Sequence, residues 1–164
     1  MVEMKMLRLG IVTFLIYLIQ TTFIQYFAIG GIIPNLMVVF VICFALTQSD
    51  YKKPMFYGLA CGMLLDFSSE TLFGVHALLC MFCALLCEQV STRFFKGKFF
   101  VSLLFVCVIS FLYEIAYFAL SFMLYDGVPL TYALFGVALP TVAYNAVVSV
   151  VVLLLMRRSA ALGD

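Results

Sequence analysis

Charged residues are scarce in this chain of 164 residues. Asp, Glu, Lys and Arg make up 10% of it, hydrophobic residues make up 66%, and the mean hydropathy is +1.22. A soluble domain is about half apolar and about a quarter charged, so a soluble fold of this length has no place to bury so much apolar surface. The composition therefore predicts an all-α, polytopic membrane protein that forms a single transmembrane domain over residues 1–164.

Net charge is also almost absent. The formal value is +1 and the isoelectric point is about 7.5. No basic field is available to attract nucleic acid, and no acidic tail is available to solvate a disordered arm. Nucleic-acid binding is excluded as a function.

Catalytic motifs are missing as well. The Gly97-Lys98 pair stands alone and not in the Gly-x-x-x-x-Gly-Lys-Ser/Thr pattern that cradles phosphates. The single histidine, His76, has no evident Ser or Cys partner outside its own segment, and the short loops offer no pocket. We therefore predict that the chain is not an enzyme and needs no cofactor.

Six cysteines all lie inside apolar runs and not in loops: Cys43, Cys61, Cys80, Cys83, Cys87 and Cys107. Three of them follow His76 at helical spacing and imitate a soft-metal ligand set. That stripe extends over about 16 Å of one rigid helix, whereas tetrahedral ligands converge within about 2.3 Å of one ion. We interpret the cysteines as packing residues and predict no metal site.

The chain contains six apolar runs near the length of a membrane span: Leu9 to Phe27, Ile32 to Leu46, Met55 to Leu65, Leu72 to Glu88, Phe99 to Leu124 and Tyr132 to Met156. The third covers only about 16 Å before Asp66 interrupts it. We therefore expect a short, tilted or broken third helix, followed by an irregular stretch from Asp66 to Thr71 that is buried in protein or lines a cavity and does not face lipid.

The positions of the cationic residues predict how the chain is oriented in the membrane. With six crossings, all nine fall on one face of the membrane: Lys5, Arg8, Lys52, Lys53, Arg93, Lys96, Lys98, Arg157 and Arg158. The opposite connections carry only the acidic residues Asp66, Glu70 and Asp126. Because an excess of Lys and Arg stays in the cytoplasm, both termini are predicted to be cytoplasmic.

Gly58, Gly62 and Asp66 share one face of the third helix, since they recur at i, i+4 and i+8. Glycines at this spacing allow a neighbouring backbone to approach closely. Two interpretations remain open: a packing seam that ends in an interfacial acid, or a carboxylate held inside the fold that orders the chain or meets a polar group.

The depths of four polar side chains along their helices predict an interior polar layer. At about 1.5 Å per residue, Gln20, Asp66, Glu114 and Asn145 lie roughly 16 to 22 Å from the cytoplasmic ends of their helices. We expect Glu114 to hydrogen-bond Asn145, its match in depth, and Pro140 to kink the sixth helix beside it. The layer serves either as structural glue or as a proton or substrate path.

Three segments carry a family resemblance: Ile33-Pro34-Asn35-Leu36, Gly58-Leu-Ala-Cys-Gly62-Met-Leu-Leu-Asp66-Phe-Ser-Ser, and Leu72-Phe-Gly74-Val-His-Ala-Leu78. With the glutamines Gln20 and Gln25, they resemble MreD, the rod shape-determining membrane protein family of bacteria. The resemblance marks Pro34, Asn35, Gly58, Gly62, Asp66 and Gly74 as critical for the fold or for a partner. The chain departs from the family at Ser69-Glu70, where Ser-Gly is common.

The resemblance implies a non-enzymatic scaffold of the cell-wall elongation complex in the bacterial inner membrane. Its partner would be the single-span protein MreC, and through it MreB filaments would be linked to the peptidoglycan glycosyltransferase and transpeptidase. The resemblance also implies a compact six-helix fold similar to the substrate-binding components of energy-coupling-factor vitamin transporters. A transporter subunit is the alternative function, although the Ala-x-x-x-Ala seam usual on the first helix of such proteins is missing from Leu9 to Gln20.

Overall fold

A computed structural model of the chain describes residues 2–47, 52–69, 73–94, 99–125 and 131–161. These ranges contain six long α-helices and no strand, which confirms the predicted all-α class. The helices are α1 (Val2–Leu18), α2 (Leu36–Thr47), α3 (Lys52–Ser68), α4 (Val75–Phe94), α5 (Phe99–Tyr125) and α6 (Leu139–Ala161). A π-helical turn, Ile19–Phe23, and a 3-10 turn, Ile24–Phe27, prolong α1, and a π-helical segment, Tyr132–Ala138, precedes α6.

Three helical segments are long and apolar enough to cross a membrane: Leu7–Phe27, Phe99–Phe122 and Tyr132–Met156. Two further apolar helices are shorter, Leu36–Thr47 and Val75–Gln89. These features identify a membrane protein. That the chain crosses the bilayer six times remains a prediction.

The short helix α2 lies at the centre of the bundle. Eight of its twelve residues are buried, and it contacts each of the other five helices. A helix that is hydrophobic on all sides is buried in a protein core or surrounded by lipid, and the neighbours of α2 bury it in the core. At about 18 Å, α2 is shorter than the hydrocarbon core of about 30 Å.

A small hairpin leads into α2. Ile29 and Ile32 exchange two backbone hydrogen bonds of 3.1 Å each. Gly30 and Gly31, at the tip, have φ angles of 63° and 82°. Positive φ at both central residues is the requirement of a type I′ turn, so the two glycines are needed for backbone conformation.

The third helix differs from the expectation. It begins at Lys52 and continues through Asp66 to Ser68, so the predicted interruption at Asp66 is wrong. Its 17 residues reach about 26 Å, close to a full span. Glu70 and Thr71, which belong to the predicted irregular stretch, lie outside the described residues.

Helix 6 is distorted, but before the proline and not after it. The π-helical segment ends at Ala138, and α6 begins at Leu139 directly before Pro140. Proline has no N–H and leaves a carbonyl of the preceding turn without its usual donor. The change of hydrogen-bond register in the π segment lies where that donor is missing.

Candidate functional site

Polar side chains collect at the beginning of α2. Asn35 is its N-cap: Oδ1 accepts a hydrogen bond of 3.2 Å from the N–H of Val38, and the Asn35 carbonyl accepts one of 3.0 Å from Val39. The first N–H groups of a helix have no partner within the helix, and asparagine is among the best side chains to supply one.

Two other helices bind the same turn. Gln20 Oε1 accepts a 2.7 Å hydrogen bond from the N–H of Leu36, and its Nε2 donates to the Pro34 carbonyl at 3.2 Å. Asn145 Oδ1, from α6, accepts a 2.8 Å hydrogen bond from the N–H of Asn35. The structure therefore brings Gln20, Pro34, Asn35 and Asn145 together, and α1, α2 and α6 meet through their contacts.

Asp66 accepts hydrogen bonds from the first N–H groups of α4 in a similar way. Its Oδ1 accepts from the N–H of His76 and its Oδ2 from the N–H of Ala77, both at 3.0 Å, and the side chain is 4% exposed. Gly74 precedes the helix with a φ of 103°, and its carbonyl accepts from Leu78. A carboxylate at a helix N-terminus is stabilised by the two donors and by the helix dipole. Asp66 is a carboxylate held inside the fold, as the second interpretation has it.

The glycine face of α3 lies directly on α4. A Cβ atom added to Gly58 would stand 2.6 Å from the Cys80 carbonyl oxygen, and one added to Gly62 would stand 2.7 Å from the Ala77 nitrogen. Both neighbours are backbone atoms that belong to a helix and have little freedom to move. The seam is thus filled within the chain, and the face formed by Gly58, Gly62 and Asp66 is not open to a partner helix.

His76 extends the network to α5. Its Nδ1 lies 2.5 Å from the hydroxyl of Tyr113, and its ring stacks on Tyr117 with centroids 4.9 Å apart and planes at 17°. This arrangement holds the imidazole between aromatic side chains. The contacts give the imidazole a hydrogen-bond partner and a stacking partner within an apolar helix.

The predicted polar layer is divided. Gln20 and Asn145 converge on the beginning of α2, and Asp66 binds the beginning of α4. The hydrogen bond expected between Glu114 and Asn145 is not present among the described residues, because Asn145 Oδ1 is used by Asn35 and its Nδ2 has no partner. Ser110 Oγ is likewise buried without a partner, and Glu114 is 8% exposed.

One polar contact was not anticipated from the sequence. The Thr13 hydroxyl donates to the Leu9 carbonyl at 2.7 Å and also contacts the Tyr57 hydroxyl. The Tyr57 ring packs on Phe44, with centroids 4.4 Å apart, so the contact joins α1 to α3 beside α2. The available signal was weak, because Thr13 is one of three threonines in the first apolar run; its side chain is 6% exposed.

The cysteines and the possible metal ligands do not form a site in the described part of the chain. No group of three or more His, Cys, Asp or Glu side chains there is placed to hold a metal ion. Cys80, Cys83 and Cys87 are buried in the core. What the polar contacts accomplish chemically is to satisfy the starts of α2 and α4 with side chains from other helices.

Comparison with known proteins gives one match. The family model described as rod shape-determining protein MreD matches residues 3–159. No curated protein and no solved structure matches the chain.

Proposed function

The chain belongs to the MreD family of rod shape-determining proteins, and we propose that it acts in rod-shape determination as a non-enzymatic scaffold that binds another membrane protein. The proposed partner is an MreC-like protein with a single span. Through that partner the scaffold would connect MreB filaments with the peptidoglycan glycosyltransferase and transpeptidase of the elongation complex.

The observation that supports this proposal is that the polar side chains hold the helices of the bundle together. Gln20, Asn35, Asp66 and Asn145 each contribute hydrogen bonds that join one helix of the bundle to another or cap a helix. Such contacts maintain a fixed helix arrangement, which is what a scaffold requires. In lipid, a partner helix would be held by close packing and interhelical hydrogen bonds and not by the hydrophobic effect.

The docking surface must lie outside the glycine seam. Because α4 occupies the face of Gly58 and Gly62, these residues act on the partner only through the fold. The surfaces left for docking are the outward faces of the helices. They carry exposed large side chains such as Phe14, Phe82 and Leu104.

Photocrosslinking from single positions tests this proposal. A photoreactive amino acid is placed at one exposed position on each of five helices, and at the buried Val39 of α2 as a control, while the MreC-like protein from the same bacterium is coexpressed. The positions are Phe14, Phe56, Phe82, Leu104 and Val147. We expect crosslinks from one or two adjacent helices and none from Val39. Absence of crosslinks from all five helices, with normal insertion, would contradict the scaffold function.

We also propose that the protein lies in the bacterial inner membrane with both termini in the cytoplasm. The support is the distribution of the nine Lys and Arg residues under the positive-inside rule. A fluorescent protein that folds only in the cytoplasm, fused to the C-terminus, should give signal. A dark fusion together with an active periplasmic alkaline phosphatase fusion at the same site would reverse the assignment.

A transporter subunit is the second candidate, with a fold like that of the substrate-binding components of energy-coupling-factor vitamin transporters. It is favoured by the buried polar atoms that have no partner, Ser110 Oγ and Asn145 Nδ2. Native mass spectrometry after gentle extraction separates the two candidates. A retained water-soluble small molecule would support transport, and a retained membrane protein would support the scaffold.

A further inference from the structure

A groove opens between α1, α2 and α6. Its volume is about 840 Å³, and its walls are almost entirely apolar. Its lining includes Val12 and Ile16 of α1, Phe40 and Phe44 of α2, and Val152 and Leu155 of α6. Among the described residues that line the groove, Arg8 is the only charged one.

The arginine stands at one end. The contacts of Gln20 and Asn145 place the beginning of α2 beside the end of α1 and the middle of α6. From that level α2 reaches its last residue, Thr47, after about 18 Å, and α6 reaches Met156 after about the same distance. Arg8, Thr47 and Met156 therefore share the end of the groove that lies nearest both termini, and Ile19 and Leu36 line the opposite end.

We propose that this groove binds an anionic glycerophospholipid from the leaflet on the side of the termini. The acyl chains lie along the apolar walls, and the headgroup phosphate pairs with the guanidinium of Arg8. A length of about 18 Å corresponds to one leaflet of a hydrocarbon core about 30 Å thick. Arginine is the side chain best suited to phosphate, because its planar donors match two phosphate oxygens.

The charge of the groove favours a lipid over a helix. A partner helix would gain nothing from Arg8 unless it carried an acidic group at the matching depth, whereas a glycerophospholipid carries a phosphate in its headgroup. A cation on the headgroup would offset this attraction, so the charge favours a lipid with a phosphate and no further cation.

The test is a lipid titration of the purified full-length chain by native mass spectrometry. The two probes are phosphatidylglycerol and phosphatidylethanolamine with identical acyl chains. We expect the wild type to prefer phosphatidylglycerol by about fivefold, the equivalent of about 1 kcal/mol for one basic residue at a lipid surface. Arg8→Gln should reduce that preference to less than twofold, whereas Lys53→Gln, which removes an exposed charge outside the groove, should keep it.

A second pair of variants tests the groove itself. Val12 lines it and is 42% exposed, whereas its neighbour Ile11 is 53% exposed and does not line it. Val12→Trp should weaken binding of both lipids at least threefold, and Ile11→Trp should leave it unchanged. The proposal is overturned if Arg8→Gln keeps the preference, if the two Trp variants bind lipid equally, or if Val12→Trp removes a second copy or a membrane partner and leaves lipid binding intact.

Discussion

Removing the Asp66 carboxylate should destabilise the protein more than a change at any other single polar residue of α3. The carboxylate accepts from two backbone N–H groups at the beginning of α4, each at 3.0 Å. Asp66→Ala removes the acceptor of both donors at a position that is 4% exposed. A buried unsatisfied donor costs about 1–3 kcal/mol, so the free energy of unfolding should fall by about 2–6 kcal/mol. Asp66→Asn keeps one acceptor oxygen, so its effect should be about half as large.

The matched control is Ser68→Ala, two residues further along the same helix. Among the described residues the Ser68 hydroxyl bonds the Leu65 carbonyl of its own helix, at 3.0 Å, so its removal should have an effect below about 0.5 kcal/mol. Unfolding is followed by denaturant titration in detergent. Hydrogen–deuterium exchange reports on the amides of His76 and Ala77, which should exchange faster in Asp66→Ala and at the wild-type rate in Ser68→Ala. If Asp66→Ala unfolds like the wild type and both amides remain protected, the capping argument is refuted.

Three further outcomes are expected from the same unfolding assay. Gly62→Ala should lower stability by several kcal/mol because its Cβ has no space against α4, whereas Gly10→Ala, with no atom within 4 Å, should be neutral or stabilising by up to about 1 kcal/mol. Tyr113→Phe should destabilise by about 1 kcal/mol through loss of the hydrogen bond to the imidazole, and Tyr117→Phe, which keeps its stacking, should not. Asn145→Ala should lower stability by about 1–3 kcal/mol, because the turn before α2 loses an acceptor; wild-type stability would show that the contact is dispensable.

The apolar runs predicted where the helices lie. A helix that is surrounded by lipid needs no periodic alternation of polar and apolar residues, so the length and apolarity of a run are sufficient to identify it. The same criterion failed at Asp66. A hydropathy reading takes a carboxylate as the end of a span, since an isolated charge is expensive in hydrocarbon. Hydropathy does not reveal that the start of another helix lies beside that residue, where two N–H groups need an acceptor.

A sequence permits a calculation of depth along a helix but not of direction around it. Gln20 and Asn145 were placed at the same level, and both bind the turn before α2. Glu114 was placed at that level too, but a depth calculation assigns no angle about the helix axis, and the two side chains expected to pair do not. Thr13 was overlooked for a related reason, since its partner Tyr57 comes from a segment 44 residues away.

The breaks between the helices explain why the residues that carry the family resemblance lie in the interior of the fold. Helices α2 and α4 each begin with N–H groups that must be satisfied within the protein, because lipid offers no acceptor. Since apolar side chains gain little by leaving lipid for one another, the polar contacts of Asn35 and Asp66 are what select one helix arrangement over others. A sequence motif that consists of such residues therefore reflects how the helices of the bundle are arranged. The residues that distinguish one membrane partner from another must then be sought on the lipid-facing surfaces, which the motif does not contain.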